Sequence, residues 1–155
     1  MEKKFDTFDF EIRRINYENS YTSGDGKLRC IFMINGKDLY EIIKEALNDK
    51  GAYHHTTPID LWAFDLDVDP YKPGRIHPLI CSCDELGCDN ISVRVTENDE
   101  SITWNNFYRE PGTDDEDDEE SANIEYLKLS FQFEKNDYKR KIEELKKISR
   151  ALCSR

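Results

Sequence analysis

The chain has 155 residues, 37% of them hydrophobic, and its 33 acidic against 22 basic residues give a formal net charge of −11. A chain of this length builds one core, and this charge repels a phosphate backbone and attracts basic proteins, which argues against a second independent domain and against direct nucleic-acid binding. Acids in Met1-Glu2-Lys3-Lys4-Phe5-Asp6-Thr7 interrupt the apolar core that a signal peptide needs, and no later run is long and apolar enough for a membrane span, so a single cytoplasmic domain over residues 1–155 is expected.

Phe8, Phe10 and Ile12 alternate with polar residues, and after the turn residues Ser23-Gly24-Asp25-Gly26 comes the β-rich run Leu28 to Ile34. Period-two alternation followed by a β-branched and aromatic run predicts an opening hairpin. Asn35-Gly36 ends its second strand. Asp38 is placed to cap a helix with Glu41 three residues on, and Leu39, Ile42, Ile43, Ala46 and Leu47 form one apolar helical face up to Gly51.

From Ala52 to Pro78 four prolines and Gly74 interrupt short apolar pieces, and the pattern is irregular. Within it Asp65, Asp67 and Asp69 alternate with Leu66 and Val68. The spacing resembles a calcium loop, but the glycine and the closing glutamate of such a loop are missing. Alternation instead puts the three acids on one strand face, open to solvent or to a partner.

Cys81, Cys83 and Cys88 fall within eight residues. Thiolates so spaced can share a zinc ion, with His77, or His54 and His55, as further ligands, but no second Cys-x-x-Cys knuckle completes the set. Five cysteines in a chain without a signal peptide are expected to be free thiols, and this turn then reads as a compact structural corner with no metal and no cofactor. With three histidines in the chain, a Cys–His catalytic pair has few candidates and no third group to orient it. No catalytic residues are assigned, and the chain is not expected to be an enzyme. The alternative is a zinc-stabilised or thiol-active small module centred on Cys81, Cys83 and Cys88.

Ile91, Val93 and Val95 alternate, Asn98-Asp99-Glu100 makes a turn, and Ile102 and Trp104 resume the alternation, which predicts a second hairpin. Phe107-Tyr108-Arg109 follows, and an aromatic beside an arginine next to an acidic stretch is a candidate interface anchor, with Tyr108 in the contact. Asp114-Asp115-Glu116-Asp117-Asp118-Glu119-Glu120 is a block of seven acids, expected in a mobile loop at about 110–122. Without those seven charges the net of −11 becomes −4, so the acidity is concentrated in one place. A strand over Ile124 to Phe133 and a closing amphipathic helix with Tyr138, Ile142, Leu145, Ile148 and Leu152 on one face complete the pattern. Hairpins with few intervening helices predict an α+β fold, an antiparallel sheet of about five strands with two main helices.

The succession Cys83-x4-Cys88, Ile91-Ser92-Val93-Arg94-Val95, Thr103-Trp104-x-x-Phe107, Phe131-x-Phe133 and Tyr138 resembles a family of small bacterial cytosolic proteins. The likeness runs from about Leu79 to Leu145. Family members often carry Cys-Gly ahead of the Leu-Gly-Cys step, where this chain has Asp84-Glu85. The resemblance brings no catalytic residues with it. In role, a small acidic protein of this kind is similar to toxin immunity proteins. The expected partner is a basic cognate toxin domain, a nuclease, met through Asp114, Asp115, Glu116, Asp117, Asp118, Glu119 and Glu120, with Asp65, Asp67, Asp69 and Tyr108 contributing.

Overall fold

The computed structural model describes residues 4–16, 18, 21, 24–48, 56–59, 75–81, 89–111 and 125–153. Strands β1 (Phe8–Arg14) and β2 (Leu28–Ile34) form the opening hairpin, paired antiparallel from Phe8 opposite Ile34 to Arg14 opposite Leu28. Asn35 and Gly36 then turn the chain with φ of 54° and 79°. Two successive residues at positive φ define a tight hairpin turn of primed type, for which Asn-Gly is the favoured pair. The turn leads into the short strand β3 (Lys37–Asp38) and at once into helix α1 (Leu39–Asn48). Asp38 caps that helix, its Oδ1 accepting from the Tyr40 backbone N–H at 2.8 Å. Leu39, Ile43 and Leu47 are buried on one face, which fixes the helix against the sheet.

The second sheet contains β4 (Thr56–Pro58), β5 (Arg75–Cys81), β6 (Asp89–Glu97), β7 (Ser101–Pro111) and β8 (Glu125–Leu127), in that order and all antiparallel, with β9 (Phe131–Glu134) beside β8 on the same edge of β7. Helix α2 (Lys135–Cys153) follows β9 directly. The fold is α+β, antiparallel, with two helices. As the pattern predicts, an antiparallel sheet runs through five strands in order, β4 to β8; β9 joins it at the edge of β7, and β1, β2 and β3 form a further three-stranded sheet. The one strand expected over Ile124 to Phe133 is two, because Leu129 N–H turns back to the Leu127 carbonyl at 2.9 Å.

The two sheets are stitched together on both sides. Cys30 N–H in β2 donates to the Ile59 carbonyl just after β4 at 2.9 Å. On the opposite side Asp6, ahead of β1, pairs in parallel with Phe133, and its N–H donates to the Gln132 carbonyl at 2.8 Å. The strands therefore follow one another round a common interior.

That interior is aromatic. The Phe8 ring lies 5.9 Å from Phe32, 5.5 Å from Trp104, 5.1 Å from Phe133 and 4.7 Å from Tyr138, centroid to centroid, most of them in tilted or edge-on geometry. Such pairs each contribute about 0.5–1.5 kcal/mol beyond the area they bury. Helix α2 closes the open flank by inserting Tyr138, Ile142 and Leu145, all buried, and Lys141 Nζ donates to the Phe8 carbonyl at 2.6 Å.

Two bulges flank the middle of β6 and curl the sheet. In β5 the register shifts between Ile76 and Leu79, so that His77 and Pro78 together face Ser92. Proline suits a bulge because no ladder donor is needed there. In β7 the register shifts between Asn105 and Tyr108, and Asn106 carries a φ of 54°. The extra residue changes the phase of the alternation, so Trp104 and Phe107, three apart, both point inward and both are fully buried. Phe107 is thus a core residue and not an interface anchor.

Candidate functional site

Of the residues singled out for partner binding, Tyr108 lies in β7, its backbone paired with Ser92 on one side and Tyr126 on the other. Asp65, Asp67, Asp69 and the block Asp114 to Glu120 lie outside the described residues, as do Cys83, Cys88, His54 and His55. Cys81 ends β5, opposite Thr56, and His77 is buried in the β5 bulge. Among the described residues no group of three or more His, Cys, Asp or Glu is placed to hold a metal ion, and no helix is long and apolar enough to cross a membrane.

Two concave features of the described surface lie beside the first half of α2. The first, a hollow of about 280 Å³, is lined by Phe5, Asp99, Glu100, Glu134, Lys135 and Asn136. The tight turn from β6 to β7, closed by Asn98 N–H donating to the Ser101 carbonyl at 2.8 Å, brings Asp99 and Glu100 next to the end of β9. Lys135 N–H donates to the Glu100 carbonyl at 3.1 Å and holds the turn there. Glu134 accepts from the Asp137 N–H at 2.5 Å, so it caps α2 at the helix end where negative charge is favoured. Sequence reasoning took Asp99 and Glu100 only as turn formers. Their proximity to Glu134 depends on the pairing of β7 with β9, which no local pattern announces.

The second feature is a groove of about 430 Å³ between the β6–β7 hairpin and α2, with Val95, Ile102, Tyr138 and Ile142 along its floor and Glu97, Lys139, Glu143 and Lys146 at its rim. Glu97 lies 2.8 Å from Lys139 and 3.5 Å from Lys135. The hydrogen bond from Lys139 holds the Glu97 carboxyl below the usual carboxylate range. Both partners are solvent-exposed, so this pair orients side chains at the rim and contributes little to stability.

Two polar clusters lie deeper and serve the fold. Tyr21 donates its hydroxyl to Asp38 Oδ2, and its ring meets Tyr40 edge-on at 4.8 Å. Burial pushes the Asp38 carboxyl upward, and burial together with the bond to Asp38 pushes the Tyr21 phenol upward as well. A phenol held in its protonated form is a latch on the helix cap and not a base. Arg29, fully buried in β2, reaches Asp25 at 2.6 Å and the Pro58 carbonyl at 3.1 Å, tying the first hairpin's loop to β4. Nothing in the β-rich run around Arg29 marks it as a buried charge; the signal is Asp25 four residues earlier, in a turn.

No family model, curated protein or solved structure matches this chain.

Proposed function

We propose that this chain is an immunity-type protein that binds a basic cognate toxin domain, a nuclease, in the cytoplasm and blocks its active cleft. The observation that carries this reading is the placement of charge. A net of −11 over 155 residues is drawn largely from the seven consecutive acids Asp114 to Glu120. A nuclease cleft must be basic to hold phosphate, and an acidic protein competes for that cleft with charge-steered association, at up to about 10⁸–10⁹ M⁻¹s⁻¹ at low salt. The acids of the hollow, Asp99, Glu100 and Glu134, add to the same sign on the described surface. Asp65, Asp67, Asp69 and Tyr108 extend the proposed contact.

The test starts from the neighbouring gene, where a toxic nuclease domain is expected to be encoded, and takes that domain together with the chain. The chain is expected to abolish nuclease activity at stoichiometric ratio. Replacing Asp114 to Glu120 by Ser and Gly is expected to slow association and to flatten its salt dependence, because screening shortens steering to about 10 Å at 0.1 M salt. An unchanged association rate at low salt removes the block from the mechanism, and full nuclease activity in the presence of excess chain removes the function.

A further inference from the structure

We infer that Asn35 is a site of spontaneous deamidation, gated by the clasp that joins the two sheets, and that the modified residue cannot re-form that clasp. Asn35 and Gly36 are both exposed at the tip of the turn from β2 to β3, and theirs is the one Asn-Gly step in the chain. Glycine on the C-terminal side leaves its own N–H unshielded. That backbone nitrogen can attack the asparagine carbonyl carbon Cγ, form a C–N bond and expel ammonia. Water then opens the resulting cyclic imide on one side or the other, leaving aspartate or isoaspartate. No redox partner is needed, and the balance is one ammonia lost for one water taken up.

The folded protein holds that side chain at both ends. Asn35 Nδ2 donates to Asp6 Oδ1 at 2.9 Å, and Asn35 Oδ1 accepts from the Thr7 N–H at 2.8 Å. The Asn35 N–H donates to the Thr7 carbonyl at 2.9 Å. The same Asp6 carboxylate accepts from the Gln132 N–H through Oδ2 at 2.8 Å, while Asp6 N–H donates to the Gln132 carbonyl. Asp6 thus stands between the turn and β9, and Asn35 supplies the donor that faces it. Attack by Gly36 needs the amide to leave these partners and rotate towards its own backbone, so the reaction proceeds from the opened clasp.

Either product is unsuited to closing again. Aspartate replaces the Nδ2 donor with an oxygen and sets two carboxylates against each other where a hydrogen bond stood. Isoaspartate also lengthens the backbone by a methylene, which the two-residue turn between Ile34 and Lys37 cannot absorb without losing register. The left-handed conformation is not the obstacle, since aspartate tolerates it about as well as asparagine does.

The experiment follows the tryptic peptide from Cys30 to Lys37 by mass spectrometry while the intact protein is held at neutral pH and body temperature. Deamidation at Asn35 is expected to be several-fold faster in Asp6→Ala than in the wild type. In parallel, Asn35→Asp is expected to lower the thermal midpoint by several degrees, and the exchanged pair Asp6→Asn with Asn35→Asp to recover most of it, since amide and carboxylate have merely traded places. Equal deamidation rates in wild type and Asp6→Ala overturn the gating. An Asn35→Asp midpoint equal to the wild type's, or an exchanged pair no better than Asn35→Asp alone, overturns the clasp.

Discussion

Trp104 Nε1 donates a hydrogen bond to the Tyr138 hydroxyl at 3.1 Å inside the core, joining β7 to α2. Trp104 is fully buried and Tyr138 nearly so, and the indole N–H sits within a wall of aromatic carbon. Tyr138→Phe keeps the shape and removes the acceptor. A buried donor left without its partner costs about 1–3 kcal/mol, and urea unfolding of Tyr138→Phe is expected to show a loss in that range with an unchanged slope. A variant as stable as the parent would mean that another acceptor takes over.

Phe8 touches four aromatic rings from β2, β7, β9 and α2, so it belongs to every layer of the core. Phe8→Ala is expected to destabilise by about 3–5 kcal/mol, a large share of the roughly 5–15 kcal/mol that holds an ordinary domain folded. Phe8→Leu is expected to retain the fold at intermediate stability, and circular dichroism against temperature separates the two outcomes.

The bulge at Asn106 makes an opposite pair of predictions from a single position. Asn106 is exposed and at φ 54°, so its side chain is not needed for the core but its backbone conformation is. Asn106→Gly, which adopts the same positive φ without strain, is expected to cost less than a β-branched residue at this position. Asn106→Val, β-branched and disfavoured at positive φ, is expected to cost about 1–3 kcal/mol, measured by thermal unfolding.

The Asp38 carboxyl is raised above its ordinary range because burial disfavours its charge. The folded state therefore binds this proton more tightly than the unfolded state does. Its contribution is complete below the unfolded value, about pH 4, and is lost as pH rises through the raised folded value. Stability relative to Asp38→Asn, followed across that window by urea titration, is expected to fall with rising pH and then level off. The opposite slope would mean that the bonds from Tyr21 and Tyr40 outweigh burial.

Cys30 is fully buried in β2, and burial raises its thiol well above the ordinary cysteine range. It is expected to resist alkylation in the native protein and to react fully once the chain is unfolded. The cysteine turn is checked by metal analysis of the same preparation. A reduced structural corner is expected to hold less than about a tenth of a zinc ion per chain, and a stoichiometric ion would favour the zinc-stabilised alternative.

The parts legible in the sequence are those governed by near neighbours. Asp38 announces α1 because a cap acts within its own turn, and Asn35-Gly36 announces its hairpin because positive φ is a local demand. Strands β4 and β5 flank or enter a proline-broken stretch that gives no periodic signal. Their pairing is instead set by β6 and by Ile59 reaching Cys30. The burial of Phe107 is not legible in the alternation, which starts at Ile102 and Trp104 and leads to Asn106, because the inserted residue that redirects it has no local signature. At the candidate site, charge could be counted along the chain, but the meeting of Glu134 with Asp99 and Glu100 follows from strands brought together at long range.

The bond between the Gln132 N–H and Asp6 spans 126 positions of the chain. A ring whose last stitch joins residues so far apart cannot close before Gln132 has been made, and the aromatic interior must wait, partly open, until β9 exists. Loops of that span close slowly, and partly built antiparallel sheets expose pairing edges in the meantime. For this protein the vulnerable interval is the time between the making of the first hairpin and the arrival of Gln132. A chain interrupted before that residue is left with two sheets that share no completed seam on that side.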